Sequence, residues 1–167
     1  MDYHTKRGDK VLVFSDDKYA LESYATKMGF PYIHGDVTPK DREFYYNGFK
    51  NVKNDIRWNC LFVSRVADNS IDLPANVLIQ IFGQEASRRQ EAQRLGRVLR
   101  PKNRINNEYN GFFYSIVSND TREVALSVGR RRFLVEQGYS YMLVRKPFFL
   151  LQFVVYLFFK NTQDKQS

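Results

Sequence analysis

Four short apolar runs limit what this chain can fold into: Lys10–Ser15 (KVLVFS), Trp58–Ser64 (WNCLFVS), Asn76–Phe82 (NVLIQIF) and Gly111–Val117 (GFFYSIV). Each reads as a short buried strand. The segments between them read as helices. Lys18–Met28 sets Tyr19, Leu21, Tyr24, Ala25 and Met28 at helical spacing, and Gly29 stops it. Pro31–His34 is a further short strand turning at Gly35. Thr38 and Pro39 open a second helix, with Thr38 as the cap, proline in the first turn and Asp41 as the partner of a capping box. Phe44, Tyr45 and Phe49 continue it, and Asn51–Arg57 is a polar loop. Asp120 with Glu123 begins a long helix that runs to Gln137 and closes at Gly138, and Tyr139–Val144 is a last strand. Alternating strands and helices predict one α/β domain, an open, mostly parallel sheet with helices on both faces. Such sheets gather ligands at the carboxyl ends of their strands, so the loops after Ser64 and Phe82 are where chemistry is expected.

The loop after Phe82 leads into Gln84–Arg100, QEASRRQEAQRLGRVLR. At about 100° per residue, Gln90, Gln93, Arg97 and Arg100 share one narrow arc of a helical wheel. Ala92, Leu95, Val98 and Leu99 share the opposite one. The apolar arc predicts docking on a core, while the polar arc aims two amides and two guanidinium groups at one external target. Guanidinium groups match phosphate oxygens bidentately and stay charged near neutral pH. Charge is concentrated in the same place. The net charge is +8, and between Ala86 and Arg104 there are seven Lys or Arg against one acid, Glu91. That balance favours a polyanionic partner, most commonly nucleic acid.

Other chemistries are excluded by composition. One cysteine, Cys60, allows no intrachain disulfide, and with only His4 and His34 the usual zinc ligand count cannot be met. The start of the chain, MDYHTKRGDK, lacks the apolar core of a signal peptide. No G-x-x-x-x-G-K-[ST] loop is present, and no acidic pair follows a strand as a Walker B aspartate would. A phosphate-facing arginine pair without a phosphate loop is half of a site.

These residues resemble a known family. Gln90-x-x-Gln93-Arg94-x-Gly96-Arg97-x-x-Arg100 resembles motif VI of superfamily 2 helicases. Ser64-Arg65-Val66 through Ser70-Ile71-Asp72-Leu73-Pro74 resembles motif V, and VLVFSDD (Val11–Asp17) resembles motif IV. Tyr32-Ile33-His34-Gly35 with Arg42 downstream resembles the strand and turn between them. Order and spacing are those of a second RecA-like domain. SRRQEAQRLGRVLR, then Glu108-Tyr109-Asn110 with FFYSIVS, then Arg132-Phe133-Leu134-Val135 and Gln137-Gly138-Tyr139-Ser140, narrow the resemblance to the XPB family of DNA translocases. The pattern departs in two places: the family usually has an extra residue between the motif V proline and Ala75, and a glycine-containing turn where this chain has Gly83-Gln84-Glu85-Ala86. The loop after motif V is therefore expected to be shorter.

The resemblance implies a domain over residues 1–144 that works against a first RecA-like domain, which this chain lacks. ATP with Mg would lie between the two. Arg97 and Arg100 would act as arginine fingers on the γ-phosphate, with Gln93 orienting the attacking water. Asp72, Gln90 and Arg94 would contact the nucleotide. Ser64, Arg65, Arg88 and Arg89 would hold the DNA backbone. The family implies transcription initiation and nucleotide excision repair in the nucleus, with subunits of transcription factor IIH as partners. No ATPase is expected of this chain alone.

Plainer readings stand beside these. Arg88 and Arg89 fit a general basic patch equally well, the Ser64 hydroxyl can satisfy its own backbone, and Asp72 can be a turn residue. Arg130–Arg132 reads as a solvated or DNA-flanking face, His34 as structural, Gly35 as a turn former, and Cys60 as a small buried hydrophobe. Two rival functions remain open: a non-catalytic basic nucleic-acid-binding module, and the second domain of another superfamily 2 translocase. The tail over residues 145–167 has no predicted structure. Its apolar stretch Pro147–Phe159 is interrupted by Gln152 and falls short of the roughly 20 residues of a membrane span, so no membrane partner is expected.

Overall fold

The computed structural model describes residues 2–50, 58–65, 73, 75–81, 95, 111–118, 121–136, 140–144 and 151–159. A short helix α1 (Asp2–Lys6) leads into β1 (Val11–Ser15), α2 (Lys18–Met28), β2 (Tyr32–Ile33), α3 (Pro39–Lys50), β3 (Cys60–Val63) and β4 (Val77–Ile81). Then come β5 (Gly111–Ser118), a helix here called α4 (Arg122–Glu136), β6 (Ser140–Val144) and β7 (Leu151–Phe159). The strands form one sheet in the order β2-β3-β1-β4-β5-β7-β6. The first five run parallel and the last two are antiparallel to their neighbours, so the expected open, mostly parallel sheet is what forms.

Each apolar run yields a strand: those at β1, β3 and β4 are one to three residues shorter than the run, and β5 extends one residue further, to Ser118. β1 and β4 are buried at every position. That follows from helices on both faces of the sheet. On one face, Leu12, Phe14, Leu61, Val63, Leu78 and Phe113 pack with Phe49 of α3 and Leu134 of α4. On the other, Val11, Val13, Phe62 and Ile79 pack with Leu21 and Ala25 of α2.

Local signals account for the helix ends. The Asp17 carboxylate accepts from Ala20 N at 2.7 Å and caps α2. Gly29 closes that helix in the left-handed region at φ 71°, its N–H reaching the Ala25 and Thr26 carbonyls. Half of the expected capping box of α3 is present: Asp41 N donates to Thr38 Oγ1 at 3.2 Å, but the Asp41 carboxylate accepts from the Thr38 hydroxyl, at 2.7 Å, where a capping box would use the Thr38 N–H. At α4 the cap seen is Thr121, whose hydroxyl accepts from Glu123 N, while the Glu123 carboxylate accepts from Ser118 N at 2.9 Å. Asp120 lies outside the described residues, as do Gly138 and the loop at 51–57.

Four expectations change. The apolar stripe of α2 is only partly core: Leu21 and Ala25 are buried, but Tyr19 is 81% exposed and Tyr24 and Met28 are also exposed. Gly35 sits in its turn without a positive φ, since among the described glycines only Gly8 and Gly29 have one. Arg130 is not part of a solvated face. It is half-buried, and its Nη1 donates to Ser115 Oγ at 2.9 Å. The tail, given no structure from sequence, supplies β7, which lies between β5 and β6. No helix among the described residues is long and apolar enough to cross a membrane.

The start of the chain is also more than a polar leader. His4 of α1 is buried against Phe112 and Tyr114 of β5. Its Nδ1 lies 3.0 Å from the buried Asp9 carboxylate, which accepts from it, leaving Nε2 to meet the Tyr114 hydroxyl at 2.6 Å. Both histidines are structural, and no cluster of metal-binding side chains occurs among the described residues.

Candidate functional site

β1 has β3 on one side and β4 on the other, and the chain fills the β3 side before crossing to β4. Strand order therefore reverses at β1, and the carboxyl ends of β1, β3 and β4 border the crevice where open α/β sheets bind ligands. Two sequence motifs meet there. After β1, the Ser15 hydroxyl donates to Asp17 O at 2.9 Å and accepts from Asp17 N at 3.1 Å, which turns the chain sharply at the sheet edge. The turn places Asp16 beside the end of β3. Arg65 Nε donates to Asp16 Oδ1 at 2.9 Å, with the Arg65 side chain 55% exposed and that of Asp16 only 5%. Ser64 is tied in by its backbone, its N–H donating to Ile33 O at 2.9 Å. Thus the backbone-contact candidates Ser64 and Arg65 lie at the expected edge, and Arg65 is aimed by a carboxylate from the turn after β1.

Next to this pair lies a polar turn after β2. His34 Nδ1 accepts from Asp36 N at 3.1 Å, so the other ring nitrogen carries the proton and donates to Glu22 Oε1 at 2.8 Å. Arg42 clamps the same turn, its Nε donating to Val37 O at 2.9 Å and its Nη2 to Gly35 O at 2.6 Å. Lys18 pairs with Asp36 and lies 3.9 Å from Glu22. The hydrogen bond from Lys18 holds the Asp36 carboxyl below the usual carboxylate range and raises the lysine. Both groups lie in solvent, so the pair orients the turn more than it stabilises the fold.

The remaining site candidates, Asp72, Arg88, Arg89, Gln90, Gln93, Arg94, Arg97 and Arg100, lie outside the described residues. Within the stretch Gln84–Arg100 one residue is described. Leu95 is helical and 1% exposed, packed in the core cluster with Leu78 and Leu134. Leu73, at the end of motif V, is buried in the same cluster. Sequence reasoning missed Asp16: it was quoted within motif IV but given no role, although an aspartate directly after a buried strand was the available signal.

Comparison with known proteins adds the following. A family model described as the ERCC3/RAD25/XPB C-terminal helicase matches residues 1–167. The XPB helicase/translocase subunit of general transcription and DNA repair factor IIH from Drosophila melanogaster is 54% identical over 144 residues, 85% of this chain and 18% of that protein. The XPB/SSL2 subunit of Saccharomyces cerevisiae is 50% identical over 143 residues, covering 85% of this chain and 17% of its own. The Danio rerio XPB subunit is 49% identical over 146 residues, 86% of this chain and 18% of that one. The chain thus spans less than a fifth of the length of these relatives. Among solved structures, the C-terminal domain of the DEAD-box protein Dbp5 superposes with a TM-score of 0.60 at 18% identity, over 75% of this chain and 70% of that one. The C-terminal part of the Fun30 ATPase domain gives 0.53 at 20% identity, over 74% of this chain and 40% of that one. These two likenesses establish the fold: a single helicase-type RecA-like domain.

Proposed function

This chain belongs to the ERCC3/RAD25/XPB C-terminal helicase family, and we propose that it acts as the second of two RecA-like domains in an ATP-dependent DNA translocase. Residues 1–144 carry the motor's parts, and 145–167 carry none of its motif residues. ATP with Mg binds between this domain and a phosphate-loop domain. Arg97 and Arg100 reach across to the γ-phosphate and stabilise the charge that spreads over it during transfer, an effect on the order of a thousandfold or more in rate. Gln93 orients the attacking water, and Asp72, Gln90 and Arg94 contact the nucleotide. Ser64, Arg65, Arg88 and Arg89 hold phosphates of the tracked strand, so DNA binding is independent of sequence and falls steeply with salt. The relatives are named as subunits of general transcription and DNA repair factor IIH. By that likeness this chain works in the nucleus with other subunits of that factor, in promoter opening and nucleotide excision repair.

The observation that carries this reading is the family match over the whole chain together with the meeting of motif IV and motif V at one sheet edge, through Arg65 and Asp16. Leu95 supports it from another side. Leu95 is helical and buried, and the helix expected from sequence over Gln84–Arg100 would set Arg97 about 160° and Arg100 about 140° from the Leu95 direction. The rival reading, a non-catalytic basic nucleic-acid-binding module, is not favoured by the family match over the whole chain, and although Tyr19 and Phe44 are exposed, Phe14, Phe49, Phe62 and Phe113 are buried.

The test is enzymatic. The purified chain should release phosphate from ATP at background rate. Joined to a first RecA-like domain of its family, it should turn over ATP in response to DNA, and Arg97→Ala or Arg100→Ala should abolish turnover while leaving nucleotide binding largely intact. Robust hydrolysis by the chain alone, or full turnover by the arginine variants, would refute the shared-site reading.

A further inference from the structure

A carboxylate stands at the sheet edge proposed to meet DNA. Asp16 lies on the turn after β1, and its side chain is only 5% exposed. Negative charge at that edge repels phosphates, and burying it disfavours the fold unless it is paired. Its partner is Arg65, whose Nε donates to Asp16 Oδ1 at 2.9 Å. Stability alone does not account for the pairing, because the Arg65 side chain is 55% exposed and ion pairs in solvent contribute little.

The fold builds this contact from both sides. Phe14 of β1 and Val63 of β3 are register partners in a parallel ladder. Two residues further on, Asp16 and Arg65 leave the sheet at the same height. Ser15 is buried, and its hydroxyl bonds both the N–H and the carbonyl of Asp17, which fixes the turn that carries Asp16. A fixed acceptor thus meets a long, half-exposed cation. Asp16 engages the guanidinium at Nε, the nitrogen nearest the chain. The outer edge of the same plane, Nη1 with Nη2, is the one that matches two phosphate oxygens. Ordering an arginine beforehand removes part of the entropy that binding would otherwise cost. We propose that Asp16 is a positioning residue for Arg65, turning its guanidinium so that the outer edge meets a phosphate of the tracked strand. This rests on the reading that Arg65 contacts the DNA backbone.

The test turns on the sign of an affinity change, read by fluorescence anisotropy of this chain with a fluorescein-labelled DNA duplex. If Asp16 acted through charge alone, Asp16→Ala would remove a repulsion and bind DNA more tightly. As a positioning residue, its loss should weaken binding about fivefold, although the net charge becomes more positive. Asp16→Asn should also bind more weakly, by a smaller factor, because a neutral acceptor holds a guanidinium less firmly. This variant keeps the shape and decides the matter should Asp16→Ala fold poorly. In an Arg65→Ala background, Asp16→Ala should no longer weaken binding, since nothing is left to aim. Unchanged or tighter binding by Asp16→Asn, or the same loss with Arg65 absent, would overturn the proposal. Arg65→Ala alone should weaken binding and lower the salt slope by about one. If it binds as the unchanged chain does, the DNA-contact reading fails and takes this proposal with it. If it weakens binding while the Asp16 variants do not, only the role of Asp16 fails.

Discussion

At the scale of single residues, burial decides chemistry more firmly than residue type. Cys60 is the sole thiol, and its place in β3 leaves it with no exposed surface. Burial pushes its pKa up from 9.0 to about 12. A thiol whose folded pKa is raised favours the folded state while it stays protonated. Its contribution is complete below the unfolded value of 9.0 and is lost as pH climbs from there toward about 12. Urea melts of the chain should therefore show stability falling above pH 9, with this residue supplying up to about 1.4 kcal/mol per pH unit. Cys60→Ala should remove that share of the slope. The native thiol should also resist iodoacetamide at pH 8 until denaturant is added. Its burial was legible in the apolar run around it. The pairing of Asp16 with Arg65 was not, because 49 residues separate them and only the alignment of β1 beside β3 brings them together.

At the scale of elements, the boundaries came from short-range signals that local chemistry enforces. Thr38 and Gly29 act where their sequence positions implied, and the structure adds Asp17 as the cap of α2, since a cap bond spans only two or three residues. The glycines show where such reasoning stops. Gly29 and Gly35 both end an element in a turn, and a Cβ added at either would meet nothing within 4 Å. Only Gly29 has a left-handed backbone, at φ 71°. Gly29→Ala should therefore destabilise by about 1 kcal/mol through backbone strain alone. Gly35→Ala should change stability by less than about 0.5 kcal/mol, since its backbone is not strained and the unfolded chain loses freedom. Equal losses in denaturant melts would show that the turn after β2 constrains Gly35 as tightly. Helical spacing likewise identified α2, but it counted Tyr19, Tyr24 and Met28 as core when the neighbouring layer covers only Leu21 and Ala25.

At the scale of the whole molecule, the sheet has one feature that no local rule supplies. β7 runs antiparallel along nearly the full length of β5 and separates it from β6. Without it, the apolar strand Gly111–Ser118 would present an unpaired edge, the usual template for association between chains. A chain ending after Val144 should therefore associate in a concentration-dependent way, as read by light scattering across a dilution series, while the longer chain does so less. A monodisperse, monomeric truncated chain would show that β7 does not protect that edge. The sequence by itself determined the alternation of strands and helices, the ends at Thr38 and Gly29, and the family. These depend on periodicity and on motif residues close together along the chain. Tertiary structure alone decided that motif IV and motif V share an edge, that His4 and Arg130 are structural, and that the tail joins the sheet. Each of those depends on which strands lie side by side, and strand order is fixed by burial of the whole sheet between two helical layers.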